Sequence, residues 1–366
     1  MRLKHTYQKI LVSSGSGIGD IILATPMIRS LRQAYPDAVI DVLVTEGRTQ
    51  ILNGNPDVSE VVESVRGRGI IEQFRFISKI WRQYDLAISA QAGDRYMFNT
   101  WIASRNRISW VSVDTGLQRF KKQMLDAWVD IRIETHTVIK ALRLLDSLAI
   151  PKSYQLVPPI CSEPDKLALE SMLPFSRETR DYVMIHVFPR NIYKCWTTDG
   201  WETVIRHLIS KGIAVVLTGA SGEVENTHIN NIIERGFDSN LVNLAGKINL
   251  PQASELLSSA LFYLGLDTGM THLAAAQPIP TIAIFGPSIP EQWGPWPSGY
   301  CKDETPYKGR VSQRAGNVFV VRSDIQCKGN GNEGCFKDLS QPRLCLQSLT
   351  TETVLATVGQ VLSENG

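Results

Sequence analysis

The sequence predicts an α/β protein made of two Rossmann-like domains, and three observations carry that prediction. Its 366 residues exceed what a single hydrophobic core usually holds together, so two domains are expected. Short apolar runs of strand length alternate with helix-length segments, the pattern of parallel sheets covered on both faces. The alternation also starts twice, at Lys9 and at Tyr182, on either side of a proline-rich, non-periodic stretch from Pro151 to Pro159 that marks a linker. The expected division is an N-terminal domain over 1–155, a C-terminal domain over 156–350 and a closing helical segment over 351–366.

In the first half, Lys9–Ser13 is a buried strand, and Gly15-Ser16-Gly17-Ile18-Gly19-Asp20 turns the chain into a helix from about Ile21 to Ala34, stopped by Pro36-Asp37. Strands follow at Val39–Val44, Val61–Val65 and Leu86–Ser89, with a helix from about Ile70 to Arg82 before the last of them. Residues 95–104 and 135–148 read as helices. In the second half the strands are Tyr182–Val187, Ala214–Thr218, Leu241–Leu244, Phe262–Leu266 and Thr281–Phe285. Helices over about Trp201–Lys211, Glu223–Glu234 and Pro251–Ser259 separate them, and a small-residue helix runs from the Asp267-Thr268-Gly269 turn to Gln277-Pro278. Residues 290–345 read as irregular, and the last helix spans roughly Thr351–Leu362.

Charge is close to balanced overall but not along the chain. Residues 1–150 hold 20 Lys/Arg against 15 Asp/Glu, and residues 151–366 hold 18 against 21. A basic N-terminal half suits an anionic partner such as a phosphorylated lipid surface or nucleic acid; scattered solvated charge is the plainer reading. No apolar run reaches the roughly 18 residues of a membrane-spanning helix. The opening MRLKHTYQKILVSSG has too short an apolar stretch for a signal peptide, so a cytosolic protein is expected. Six cysteines in a chain of this length do not form a disulfide framework. Cys301, Cys327, Cys335 and Cys345 have C-x25-C-x7-C-x9-C spacing, unlike a paired zinc motif, and read as structural thiols, with a metal or cluster site as the alternative.

Three clusters carry candidate chemistry. The glycine turn after the first strand has the form GxGxG, not the GxGxxG of a dinucleotide site, although Glu46 after the second strand has the place of a ribose-binding acid. An acid at the start of the helix would repel a pyrophosphate there, so Asp20 fits better as a proton acceptor kept anionic by the helix N-terminus. Its alternative role is a plain helix cap. The second cluster, Pro189–Trp196, brings Arg190 and Lys194 to the end of a strand, where lysine can neutralise a diphosphate; a solvated basic loop with structural tryptophans is the alternative. The third is Asp267, Thr268, Gly269 and His272 at a helix start whose amides attract phosphate; for His272 the alternative is a structural one, capping the helix or packing against Trp293. Glu223, at another strand-to-helix turn, can accept hydrogen bonds from ribose hydroxyls. The helix at 70–82 places Ile70, Phe74, Ile77 and Trp81 on one stripe with Arg75, Lys79 and Arg82 outside it. Its position between two strands favours core packing, with an anionic membrane surface as the second use.

Taken together, the segments GSGIGDIILATPMIRSLRQAYP, Lys194-Cys195-Trp196 with Trp201, VVLTGASGE, LAGKINLPQASELL, DTGMTHLAAA and IFGPSIPEQWGP resemble the ADP-heptose:lipopolysaccharide heptosyltransferases of glycosyltransferase family 9. The resemblance follows nearly the whole chain in order. It implies an inverting enzyme of GT-B fold, two Rossmann-like domains facing each other across a cleft, acceptor on the N-terminal side and nucleotide sugar on the C-terminal side. It also implies Asp20 as general base, with Gly17 and Gly19 in the acceptor-side loop. Lys194 is implied at the donor phosphate, Glu223 at the ribose, and Asp267, Thr268, Gly269 and His272 around sugar and phosphate. The implied donor is a nucleotide sugar, ADP-heptose in this family, with no cofactor and no catalytic metal required. The implied acceptor is a lipopolysaccharide core or another cell-envelope glycan, reached at the cytoplasmic face of the inner membrane of a Gram-negative-type bacterium, with peripheral membrane contact and no nucleic acid. The stretch VFPRNIYKCW departs from the small, glycine-containing turn common in relatives, through Phe188 and Arg190. Two other readings compete: an NAD-type oxidoreductase, from the first glycine turn, and a nucleotide-sugar binding protein without catalysis.

Overall fold

The structure, a computed structural model, describes residues 6–15, 17–65, 69–111, 116–130, 134–237, 239–325 and 340–365. The chain divides into two compact units. The first takes in the chain up to Pro159 together with Tyr300–Thr305, and the second comprises Ile160–Gly299 and the chain from Pro306 onward.

In the first unit the chain runs β1 (Lys9–Ser13), α1 (Ile18–Ala34), β2 (Val39–Thr45), β3 (Glu60–Ser64), α2 (Ile70–Ile80), β4 (Leu86–Ser89), α3 (Asp94–Ala103), β5 (Asn106–Val111), α4 (Gly116–Gln123), β6 (Ala127–Asp130) and α5 (Thr137–Arg143). All six strands pair in parallel in the order β3-β2-β1-β4-β5-β6. Right-handed crossovers then put α1 on one face of the sheet and α2, α3 and α4 on the other. Consistent with that, α1 packs against α5, and α2 against α3. Alternation along the strands divides the core accordingly: Leu11, Leu43, Val62 and Ala87 face α2 and α3, meeting Ile80, Ile102 and Ala103. The proline-rich stretch is fastened to α1, since Ser30 Oγ accepts from Ser153 N (2.9 Å), Thr25 Oγ1 accepts from Val157 N (3.0 Å), and Arg29 donates to Gln155 (2.7 Å).

The second unit runs α6 (Glu163–Met172), β7 (Tyr182–His186), α7 (Thr198–Ser210), β8 (Ala214–Thr218), α8 (Glu223–Ile233), β9 (Leu241–Asn243), α9 (Leu250–Ser258), β10 (Tyr263–Leu266), α10 (Gly269–Ala275), β11 (Thr281–Ile284), α11 (Pro290–Trp293), β12 (Gln313–Ala315), β13 (Val318–Val321), α12 (Leu344–Gln347) and α13 (Thr351–Asn365). Its sheet order is β12-β13-β11-β10-β7-β8-β9, parallel except for the β12–β13 pair. Leaving out the edge strand β12, this is the strand order of the first unit used again. The apolar strands β7, β8, β10, β11 and β13 meet Trp196 and Trp201, α7 and α13 in one continuous core.

Several expectations need correction. The stretch 290–345, read as irregular, contains β13, whose four residues are all buried in the sheet. The helix α1 starts at Ile18, so Asp20 lies within its first turn, not before it. The α2 stripe is not a core stripe: Ile70, Phe74 and Trp81 are exposed, while Phe76, Ile77 and Ile80 turn toward the sheet. Those three residues join the cluster of Leu11, Leu43, Val62 and Ala87, and the expected stripe shares only Ile77 with them. Cys161, Cys195 and Cys301 are free thiols, Cys345 is buried, and Cys327 and Cys335 lie outside the described residues.

Candidate functional site

In a doubly wound sheet, ligands bind beyond the carboxyl ends of the strands where the winding direction reverses. That point lies between β1 and β4 in the first unit and between β7 and β10 in the second. Asp20, with Gly17 and Gly19, lies at the first of these points, and Lys194, Asp267, Thr268, Gly269 and His272 lie at the second, while Glu223 follows the neighbouring strand β8.

In the first unit Asp20 follows β1 and Gln91 follows β4. The Asp20 carboxylate accepts a hydrogen bond from Gly17 N (3.1 Å) and another from the Gln91 side chain. Burial raises its pKa above the usual carboxylate value; the Gly17 and Gln91 hydrogen bonds offset this only in part. The glycines have a steric purpose. A Cβ at Gly15 would press on Asp20 Cβ and the Gln91 amide, and one at Gly17 would come within 2.9 Å of Asp20 Oδ2. The turn that looks like a dinucleotide cradle is thus filled by a carboxylate. Gly19 sits beside it in the first turn of α1.

In the second unit Lys194 follows β7 and Asp267 follows β10, and they meet across the switch point at 2.6 Å. Burial alone would push the Asp267 pKa up, but Lys194 and the Ser288 hydroxyl hold it below the usual range. Burial opposes the Lys194 ammonium, and Asp267 more than offsets it, so lysine stays protonated well into the alkaline range. Thr268 caps α10 in extended conformation, and Gly269 is its first residue. His272, one turn further, is buried, and burial pushes its pKa down to about 4. It is a neutral imidazole at pH 7, and its buried Nδ1 has no hydrogen-bond partner among the described residues. Thr271 anchors this turn by donating to Leu266 O and pairing with the Tyr263 hydroxyl (3.0 Å).

The loop between β7 and α7 owes its shape to packing. Trp196 and Trp201 meet edge to face at 5.1 Å, and Trp196 Nε1 donates to Leu349 O (3.0 Å). Phe188, the departure noted in the sequence, is buried against His228 with ring centroids 5.2 Å apart, while Arg190 is exposed. Cys195 is no nucleophile, since burial pushes its thiol up to about 12. Glu223 is exposed on the first turn of α8. Its neighbour Glu225 turns back to accept from Ala220 N (2.8 Å), closing the Gly219–Glu223 turn.

Sequence reasoning missed four contributors. Gln91 lies just beyond a strand end that was recognised, and its partnership with Asp20 needs the β1–β4 neighbourhood to be known. Ser288 reaches Asp267 from the turn after β11, and Arg322, at the end of β13, donates to Ser288 O (2.9 Å), bracing that turn. His186, at the end of β7, is a buried neutral imidazole held by Thr218 Oγ1 at 3.2 Å. Position at a strand's carboxyl end was the available signal for each of these. Among the described residues no group of three or more His, Cys, Asp or Glu side chains converges as a metal-ligand set.

The family model for glycosyltransferase family 9 (heptosyltransferase) matches residues 74–302. Lipopolysaccharide heptosyltransferase 3 of Escherichia coli K12 is 29% identical over 287 residues, covering 76% of this chain and 82% of the relative. Among solved structures, the glycosyl transferase family 9 protein of Veillonella parvula superposes with a TM-score of 0.80 at 18% identity, with all of both chains covered. The E. coli ADP-heptose lps heptosyltransferase II gives a TM-score of 0.74 at 22% identity, over 98% of this chain and 100% of that one.

Proposed function

The chain belongs to glycosyltransferase family 9, the heptosyltransferase family, and from that premise we propose that it is an inverting enzyme moving heptose from ADP-heptose to a lipopolysaccharide-core acceptor, with Asp20 as general base. One observation carries the proposal: equivalent switch points hold carboxylates tuned in opposite directions, Asp20 upward and Asp267 downward. Environments that push two acids apart divide their tasks. A raised carboxylate is the better proton acceptor; a lowered one, bound to Lys194, stays charged and keeps an ammonium in place.

The reaction follows from those roles. Asp20 takes the proton of the acceptor hydroxyl as its oxygen bonds to the anomeric carbon, on the face opposite the nucleotide. The bond from that carbon to the β-phosphate oxygen breaks, and ADP leaves with the electron pair. Negative charge developing on the diphosphate meets Lys194, whose remaining N–H donors point away from Asp267, and the first amides of α10. His272 offers its unpartnered Nδ1 to a phosphate or sugar oxygen. Thr268 and Gly269 supply backbone contacts, and Glu223, exposed and uncommitted beside the closed turn, binds ribose hydroxyls. The glycine turn's occupation by Asp20 argues against a dinucleotide seated there, as an oxidoreductase would require. ADP-heptose as donor is supported by the likeness to the E. coli ADP-heptose lps heptosyltransferase II. Among the described residues no helix is long and apolar enough to cross a membrane, and we place the enzyme at the cytoplasmic face of the inner membrane, where such an acceptor is made.

The test is product analysis. Incubation with ADP-heptose and a heptose-deficient lipid A–core acceptor is expected to add one heptose of inverted anomeric configuration, seen by mass spectrometry and NMR. Retained configuration, or transfer from another nucleotide sugar in preference, would contradict the proposal.

A further inference from the structure

Lys194 stands on a loop that has little means of holding it. Between β7 and α7 the chain makes a single 3₁₀ turn, Ile192–Lys194, and none of its three residues is buried. Lys194 N donates to Asn191 O (3.0 Å) and Cys195 N to Ile192 O (2.9 Å), both bonds internal to the turn. A lysine side chain is a flexible stem that several rotamers can carry to the same carboxylate. The bond to Asp267 therefore fixes where the ammonium ends and leaves the place of the backbone to other contacts.

Those contacts come from residues 343–349, near the end of the chain. Arg343 N donates to Tyr193 O (3.2 Å), and the Arg343 guanidinium lies over the Tyr193 ring at 5.4 Å. Further along the loop, Trp196 Nε1 donates to Leu349 O (3.0 Å). Lys194 is thus gripped on both sides in sequence. Arg343 is only 7% exposed, and a cation over an aromatic face is held more strongly there than at the surface. The same segment reaches the other loop that serves Asp267. Leu346 fills the space beside Gly286, where a Cβ would come within 2.6 Å of Leu346 Cδ1. Gly286 opens the turn from which Ser288 donates to Asp267.

We propose that Arg343 is a positioning residue for the donor diphosphate, acting through Tyr193 to hold Lys194 in place before the ligand arrives. A lysine ordered in advance loses less freedom on binding, so the diphosphate is bound more tightly. The stretch VFPRNIYKCW contains no glycine, and what a tight glycine turn sets locally is set here from the far end of the chain. The inference deepens the proposed function and rests on its placing of Lys194 at the diphosphate.

The experiment is calorimetric titration of ADP into full-chain variants, on the wild-type and on a Lys194→Ala background. Arg343→Met keeps the backbone bond and removes the cation. It should weaken ADP binding about tenfold, between the worth of exposed and of desolvated cation–π contacts. Arg343→Lys, which restores a cation, should recover at least about threefold of that loss. Tyr193→Leu should match Arg343→Met, and the two together should be no worse than either alone. Tyr193→Phe keeps the ring and should bind like wild type. Tyr193 is not buried, so its variants carry the test if Arg343→Met fails to fold. On the Lys194→Ala background, Arg343→Met should change ADP affinity by less than about twofold. A further tenfold loss there would make Arg343 a ligand contact in its own right and overturn the proposal. So would wild-type affinity in Arg343→Met or Tyr193→Leu, or no recovery in Arg343→Lys. Wild-type affinity in Lys194→Ala itself would overturn the donor-site reading and this inference together, whereas a loss there with none in Arg343→Met overturns the inference alone.

Discussion

At the switch point of the first unit Asp20 meets a neutral amide, Gln91; at that of the second, Asp267 meets an ammonium, Lys194. Strand order is the same, but the carboxylate follows the first strand of one unit and the fourth strand of the other, and the charge of the residue facing it sets the direction of its shift. Without a cation, burial governs Asp20 and its proton affinity rises. With one, Asp267 is held ionised although it is the more deeply buried of the two. A repeated topology carries two different sites because both loops of the switch point hold different residues in the two units.

The largest effect that would sharpen this contrast is on catalysis. Asp20→Asn keeps the shape and an oxygen for Gly17 N, and should lower kcat by about a thousandfold, the middle of the range for a general base. Steady-state transfer assays check it, and a loss under tenfold would make Asp20 a cap. The second effect is on stability. Lys194→Ala strands a buried carboxylate and should cost about 3 kcal/mol at neutral pH in urea unfolding. The deficit should close as pH falls, because Asp267 without its lysine protonates above the ordinary carboxylate range. A deficit independent of pH would mean that the pair contributes packing alone.

How much of this was legible in the sequence follows from the kind of signal each part leaves. Strands such as Lys9–Ser13 and Ala214–Thr218 are buried on both faces and read as unbroken apolar runs. The edge strand β6, with only AWVD and partly exposed, leaves no such run, and β13 is hidden among Gly- and Pro-rich neighbours. Asp20, Lys194 and Asp267 were legible because each is a charged residue in the loop or helix start that follows a recognisable strand. Gln91, Ser288 and Arg322 were not, since their meaning depends on which strands are neighbours, and order in a sheet is not order in the chain. The α2 stripe misled for a related reason: periodicity finds an apolar face but not which way it turns.

Two smaller effects would refine the comparison. Ser288→Ala removes one hydrogen bond to the Asp267 carboxylate and should reduce kcat/KM about tenfold, the worth of a bond to a charged group. No change would mean that Lys194 alone positions Asp267. Asp20 should also show itself in pH dependence. Its folded pKa is raised, so its ionisation costs stability as pH rises through that value, and Asp20→Asn should gain about 1 kcal/mol at neutral pH. For the same reason the acid limb of the wild-type kcat profile should lie above the ordinary carboxylate range and vanish in the variant. A limb in that ordinary range would assign the proton to another group.

The division of labour itself is tested most directly by calorimetric titration of ADP into Asp20→Asn and Lys194→Ala side by side. Wild-type affinity, within about twofold, is expected for the first, and about fiftyfold or greater weakening for the second, since the loss of a buried charge contact is worth about 2–5 kcal/mol. Comparable losses in both variants, or tight ADP binding without Lys194, would contradict it.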